Sequence, residues 1–195
     1  MLRHAPLPAA ALSLLVLACM DVAPLAAADR QTIGAFAIDR TEVTIAQFRA
    51  YAAAKAYRTV AEREGGGFEF AGGWTRRPGW TYLAPQGKAG ADDEPASHVT
   101  WTEARDYCAS VGGRLPTFAE WRLAAYTETR AQPPAGFETG RTYSYPVGET
   151  SAGMNNNRRH HVPVGTTTPG VNGLFDMGAN VWEWVADRRG DSALT

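Results

Sequence analysis

Apolar and polar residues along this chain keep helical time in three places. Thr44-Ile45-Ala46-Gln47, Thr100-Trp101-Thr102-Glu103 and Thr117-Phe118-Ala119-Glu120 each place Thr three residues before Glu or Gln. At that spacing the Thr oxygen accepts from the third amide, and the Glu or Gln side chain reaches back to the Thr amide. The pattern predicts helices over residues 45–55, 101–111 and 118–127. Gly112-Gly113 ends the second of these with residues free to adopt positive φ. Within it Ala104, Cys108 and Val111 share a face, with Trp101 one turn earlier. Cys108 therefore reads as a small buried hydrophobe.

Strand signals are shorter. They fall at residues 35–39, 68–70, 80–83, 162–164 and 181–185. The last is Val181-Trp182-Glu183-Trp184-Val185, where bulky aromatics alternate as on a half-buried strand. Glu183 then points to the opposite face, toward solvent, a partner or a metal. Residues 84–94 and 131–142 read as long surface loops, and 20 Gly and 12 Pro punctuate the rest. Short scattered strands with a few helices give an α+β domain rich in irregular chain.

At 195 residues, one domain is the default, with enough chain for a core. The net charge of −1 gives no footprint for nucleic acid. The N-terminus reads as a targeting segment: Arg3, an apolar run over residues 9–19 too short to span a bilayer, and Ala26-Ala27-Ala28 before Asp29. Cleavage after Ala28 leaves a domain over 29–195, periplasmic or secreted. The competing reading takes Val16-Leu17-Ala18-Cys19 as a lipobox and leaves a lipid anchor on Cys19. No later run is apolar and long enough to span a membrane. With Cys19 in the leader, Cys108 is the single mature cysteine of an exported chain, which implies a missing partner, an intermolecular bond or a buried thiol.

Four blocks in order carry a resemblance. They are Ile38-Asp39-Arg40-Thr41-Glu42-Val43-Thr44, then Val99 through Cys108, then Arg114-Leu115-Pro116-Thr117-Phe118-Ala119-Glu120-Trp121, then Asn172-Gly173-Leu174-Phe175-Asp176-Met177 through Trp184. Together they resemble the formylglycine-generating enzyme family, also called the sulfatase-modifying factor domain, from about residue 34 onward. The resemblance implies a C-type-lectin-like fold. It implies catalytic relatives that use oxygen to oxidise a protein cysteine, or that act on a small thiol- or amine-containing molecule. Their two copper-binding cysteines lie in a segment after the Trp-Glu-Trp block. The sequence stops at Thr195, before that segment, so the expected fold lacks its closing piece. The thiolate pair that a soft copper ion needs is missing as well. Copper enters only if the natural chain continues past Thr195. Cys108 matches a family cysteine that can be disulfide-bonded to the C-terminal part. Two departures stand out: Gly178-Ala179 inverts the usual small pair before Asn180, and Phe118 stands where Glu is usual.

The same resemblance implies a calcium site, with side-chain oxygens from Asp176 and Glu183 and backbone carbonyls of Ala179 and Val181. Calcium takes several hard oxygens, which a loop running into a strand can aim at one point. The bland reading has Glu183 pairing with an arginine and Asp176 capping a turn. A second family calcium site falls near Asn155-Asn156-Asn157, where the completing acidic loop is shortened. His160-His161 reads as solvated polar loop, since adjacent side chains point apart. Arg114 and Glu120 read as a buried structural pair joining two helices. The six Trp read mostly as core, with a subset free to line a groove for a peptide or sugar. Gly65-Gly66-Gly67 lacks the following Lys-Ser/Thr of a phosphate loop. The expected function is an exported family member with no catalytic residue of its own in this stretch. Its partner is a protein, a peptide or a small molecule. The alternatives are a non-catalytic C-type-lectin-like binding module and a truncated remnant.

Overall fold

The computed structural model describes residues 29–157, 160–189 and 192–193. The leader of residues 1–28, with Cys19, lies outside the described residues. Among the described residues, three two-stranded antiparallel sheets and four α-helices are joined by long irregular segments. β1 (Arg30–Ile33) pairs with β2 (Phe36–Asp39), Ile33 opposite Phe36, across a two-residue turn in which Gly34 takes φ +55°. β3 (Gly66–Phe70) pairs with β4 (Trp74–Pro78), and β5 (Arg188–Arg189) with β6 (Ser192–Ala193). This is a mixed α and β domain with small sheets, as the strand and helix signals anticipate.

The three expected helices form within a residue of their predicted ends: α1 (Ile45–Ala54), α3 (Trp101–Ser110) and α4 (Phe118–Tyr126). Each begins with its Thr-x-x-Glu/Gln box closed in both directions. A fourth box, Thr59 with Glu62, opens the short α2 (Val60–Arg63). Its spacing was equally readable, but no apolar periodicity follows it.

Three expected strands are absent. Residues 80–83 form turns, and 162–164 and 181–185 are irregular. The strand beside β3 is β4, which begins directly after the 71–73 tip of the hairpin and in which Thr75, Arg76 and Arg77 hide the alternation. The face of α3 is also rotated from its predicted position. Glu103 and Tyr107 are its buried residues, while Ala104, Cys108 and Val111 are half-buried at its edge. The reason is Glu103 itself: besides capping α3, it accepts from Tyr57 Oη (2.8 Å) and Val60 N (2.7 Å), tying α2 to α3.

Two apolar clusters form the core. Ile33, Ala124, Ala125, Leu174 and Met177 bury together, with Trp121 packed against them. Phe48, Ala52, Tyr82 and Tyr107 form the second, where Phe48 stacks on Tyr107 at 5.6 Å and meets Tyr82 edge-on at 4.8 Å. Cys108 packs against this second cluster, and burial pushes its thiol up to about 11.

Between α4 and the 3-10 turn at Val171–Gly173 sits a polar node. Asn172 is fully buried at φ +57°, a conformation Asn tolerates better than most residues. Its Oδ1 accepts from Thr129 N and Thr129 Oγ1, both at 2.7 Å. Its Nδ2 donates to Ala124 O (2.9 Å) and Thr127 O (2.8 Å). That saturates a side-chain amide. Buried Glu128 accepts from Asn172 N (3.1 Å) and from three nitrogens of Arg130. Burial alone would raise the Glu128 carboxyl, yet the Arg130 bonds leave it below its ordinary value. Asn172→Ala strands two donors and two acceptors at once. It should lower unfolding free energy by about 3 kcal/mol or more in urea titration. A loss below about 1 kcal/mol would show that water replaces the amide.

Candidate functional site

A cleft of about 1510 Å³ runs across the molecule. One wall is the stretch from Met177 to Trp184, another the β3–β4 hairpin, and a third the loop of Pro85 and Gln86 with Asn155, His160 and His161. The hairpin sits close to the rest because β3 begins with glycines: a Cβ on Gly67 would come 2.5 Å from the His98 ring. Two hydrogen bonds join the loops of the third wall. His160 Nδ1 meets Gln86 Oε1 at 3.2 Å and His161 Nε2 meets Glu94 Oε2 at 3.0 Å. The sequence reading of both histidines as solvated loop therefore fails for His161, whose side chain is only 11% exposed.

Asn180 organises the cleft wall. At φ +57°, its Nδ2 donates to Glu42 Oε1 (3.0 Å) and Val162 O (3.1 Å). Its Oδ1 accepts from Asn155 Nδ2 (2.9 Å) and Val162 N (2.8 Å). One amide thus joins the loop before α1, the 155–162 segment and the Trp-Glu-Trp loop.

Three carboxylates gather behind this wall. Glu183 Oε2 accepts from Trp121 Nε1 and Gly178 N, both at 3.0 Å. The expected strand would have turned Glu183 away from the aromatics. Instead the irregular backbone turns it inward, onto the indole of Trp121, and no arginine pairs with it among the described residues. Burial pushes its carboxyl up to about 7, with the Asp176 charge adding to the rise and the two hydrogen bonds opposing it. Asp176, buried at φ +58°, accepts from Thr167 Oγ1 (2.7 Å), and burial raises it as well. Glu42 is pushed up to about 8, first by burial and then by the charges of Asp176 and Glu183. Glu42 Oε2 and Asp176 Oδ2 are buried with no hydrogen-bond partner among the described residues. The carbonyls of Ala179 and Val181 accept no hydrogen bond from the described residues.

Those orphaned oxygens are the fit test for a hard cation, and the donor set passes it in kind: carboxylate and carbonyl oxygens only. Among the described residues no three His, Cys, Asp or Glu side chains converge closely enough to hold a metal by themselves. Backbone carbonyls or water would have to complete the shell. Glu42 is the residue that the sequence reading missed. It lies in the first block that carried the resemblance, but periodicity gives no sign that an acid there is buried.

Other expectations shift too. Arg114 and Glu120 do pair, at 2.6 and 2.7 Å, but Arg114 is 63% exposed and lies in the loop before α4. The pair is a surface clamp on the Thr117 cap, and the Arg114 hydrogen bond brings Glu120 down to about 2. Trp74 and Trp182 are exposed and line the cleft, as a groove-lining subset of the tryptophans would, while Trp184 is anchored by its indole to Val99 O at 3.0 Å. Asn155 is engaged with Asn180 and with His160 O.

The sulfatase-modifying factor enzyme 1-like domain matches residues 16–194. The chain belongs to that family. The match begins inside the stretch read as a leader. A formylglycine-generating enzyme of Thermomonospora curvata is 31% identical over 183 residues, covering 78% of this chain and 59% of the relative. An inactive C-alpha-formylglycine-generating enzyme 2 of Bos taurus is 33% identical over 186 residues, covering 80% and 61%. A hercynine oxygenase of Mycolicibacterium thermoresistibile is 32% identical over 138 residues, covering 61% and 26%. The chain thus spans about three-fifths of the length of the first two relatives. The matched range contains all four of the sequence blocks that carry the resemblance.

The raised carboxyls fix a pH dependence. A carboxyl whose folded value is about 8 and whose ordinary value is 4.5 keeps a proton in the folded state that the unfolded chain releases. Stability is therefore greatest below the ordinary value, falls as pH rises through the interval, and stays low above the folded value. In chelator, the melting temperature should fall between about pH 5 and pH 8. Glu42→Gln should flatten that fall, because Gln keeps the acceptor for Asn180. A wild-type curve that rises through this interval in chelator would contradict the burial of Glu42.

Proposed function

We propose that this chain is an exported, ligand-binding member of the sulfatase-modifying factor family, whose cleft wall is held by calcium. The observation that carries the reading is the pair of buried, unpartnered oxygens, Glu42 Oε2 and Asp176 Oδ2, behind the wall that presents Val181, Trp182 and Trp184 to the cleft. Buried carboxylate oxygens without partners cost free energy unless protonated or bound to a cation. A calcium ion held by Asp176, Glu183 and the carbonyls of Ala179 and Val181, with Glu42 beside them, would discharge the cluster and fix the loop. When bound, calcium would supply charge compensation and loop order. The protein's own groups do the rest: Trp121 and Gly178 orient Glu183, and Asn180 orients Glu42.

The cleft would take a protein, peptide or small-molecule ligand, in keeping with relatives named as formylglycine-generating enzymes, as inactive paralogues and as a hercynine oxygenase. A C-type-lectin-like fold is the architecture that fits small sheets and long ordered loops. Export rests on Arg3, the apolar run at 9–19 and Ala26-Ala27-Ala28. No helix among the described residues is long and apolar enough to cross a membrane. Copper does not fit the residues present: Cys108 is alone in the described residues and its thiol is held protonated by burial. The binding reading assigns no redox step, so it suits an active relative and an inactive one alike.

Terbium luminescence tests the site directly, because Trp121 touches a proposed ligand and would sensitise a bound lanthanide. Terbium emission excited through tryptophan should be displaced by calcium, with affinity on the order of 10⁻⁴ to 10⁻³ M as in extracellular modules. Calcium should raise the melting temperature most at pH 8, where the ion no longer competes with protons. Glu183→Gln and Asp176→Asn should each abolish both effects. No melting shift at about 10 mM calcium, well above the weakest such affinity, would remove calcium from the reading.

A further inference from the structure

Helix α4 borders the cleft on one side, through Glu120 and Trp121, and a smaller hollow on the other. Ala119, Arg122, Leu123 and Tyr126 line that hollow together with Thr127 and Thr142. The four helical positions are three and four apart, so they share one face. Ala124 and Ala125 turn into the core, while Ala119, Arg122 and Leu123 stay exposed. The hollow measures about 310 Å³, at the lower end of the roughly 300–1,000 Å³ of small-molecule sites. It shares no lining residue with the cleft.

Thr127 and Thr142 face each other across an isolated antiparallel bridge. The main-chain bonds flank this pair, Tyr143 N donating to Tyr126 O at 2.8 Å and Glu128 N to Arg141 O at 2.9 Å. Thr127 and Thr142 are therefore a non-hydrogen-bonded pair, the closer of the two antiparallel spacings, and their side chains meet. Their hydroxyl oxygens lie 2.9 Å apart. That bond uses one hydroxyl hydrogen, and the other has no acceptor among the described residues.

Arg122 brings a charge to the same hollow. Arg114, Arg130 and Arg141 each pair with a carboxylate at 2.6 Å. Arg122 has no carboxylate partner among the described residues, and its guanidinium carbon lies 5.9 Å from the centre of the Phe118 ring. Phe118 stands where Glu is usual in the family, one helical turn before Arg122. A Glu at that spacing would pair with the arginine. The phenyl ring supports the guanidinium from one face and leaves its charge uncompensated.

We propose that this hollow binds a small organic monocarboxylate. Arg122 takes the carboxylate, the Thr127–Thr142 hydroxyl pair donates to it, and Ala119, Leu123 and Tyr126 take the apolar body. The planar fork of a guanidinium matches the two oxygens of a carboxylate. One free cation and one free hydroxyl hydrogen suit a single negative charge, and the alkyl and aryl wall suits a carbon skeleton behind it. The site lies outside the cleft and assumes neither calcium nor a cleft ligand.

The test titrates the full chain with benzoate, followed by nuclear magnetic resonance. Benzamide serves as the uncharged isostere and acetate as the carboxylate without an apolar body. Benzoate should move the amide signals of Ala119, Leu123, Thr127 and Thr142, with a Kd on the order of 1 mM as for a small fragment. Benzamide and acetate should each bind about tenfold more weakly or worse. Arg122→Gln should weaken benzoate by roughly tenfold and leave benzamide unchanged. Arg122 is exposed, so this change spares the fold. Phe118→Glu should weaken benzoate comparably, by giving Arg122 a partner within the helix. Equal binding of benzamide, an unchanged benzoate titration in Arg122→Gln, or shifts confined to the cleft would each overturn the proposal. So would the absence of any saturable shift up to about 20 mM benzoate.

Discussion

Side-chain amides carry much of the hydrogen bonding that a larger sheet would provide in another fold, and the whole structure depends on their saturation. The three sheets here have two strands each, so most of the chain lies outside any ladder. Backbone groups left inside must still find partners. Asn172 satisfies four groups around the end of α4, and Asn180 satisfies four around the cleft wall. Both sit in the left-handed region, near +57°, where a short amide can turn back on neighbouring chain. Loops held in this way are ordered by stoichiometry: each amide has four bonds to give, and each is used. A change at one of them removes several contacts that no apolar packing replaces.

The same constraint shapes the acidic cluster. Asn180 fixes Glu42 while leaving its second oxygen without a partner, and Thr167 does the same for Asp176. Among the described residues, the fold brings these carboxylates together with no arginine paired to them, whereas it supplies one for Glu128 just after α4. The contrast is informative because both environments are buried. At Glu128 the Arg130 fork outweighs burial and the acid stays ionised. At Glu42 and Glu183 burial wins and the neutral form is favoured. A buried acid matched by a guanidinium is a structural device. Buried acids matched by nothing are an unspent capacity for a proton or a cation.

Helices were the most legible part of the sequence, because a capping box states its own boundary. Thr44, Thr100 and Thr117 each close on the residue three positions later, as their spacing requires. Strands were less legible for a physical reason. A strand is defined by its partner, and the run at 181–185 has the right alternation but no neighbour to pair with, while β4 has a neighbour and a charged, exposed sequence. Within the site, Asp176 and Glu183 were singled out through resemblance, and the Asp176 charge helps to raise Glu183. Glu42 was not, since nothing local distinguishes a buried acid from an exposed one. Glu183 also reversed its expected direction, because loss of strand geometry removes the rule that sends alternate side chains to opposite faces.

Trp121 shows how that reversal joins stability to the site. Its ring packs against the Ile33–Leu174 cluster, and its indole nitrogen donates to Glu183. Trp184 donates to Val99 O, and Trp101 to Val185 O, so the ends of the Trp-Glu-Trp loop are pinned by indoles on both sides. Trp182 alone is left facing out between these anchors. A loop pinned at Glu183, Trp184 and Val185 cannot swing Trp182 away to hide it. Its exposure is thus a consequence of the contacts that order its neighbours. Natural sequences relieve exposed aromatics cheaply by substitution, so a position where the backbone holds such a ring in the open, beside Phe70 and Trp74, is better explained by what the ring touches from outside than by what it does for the fold.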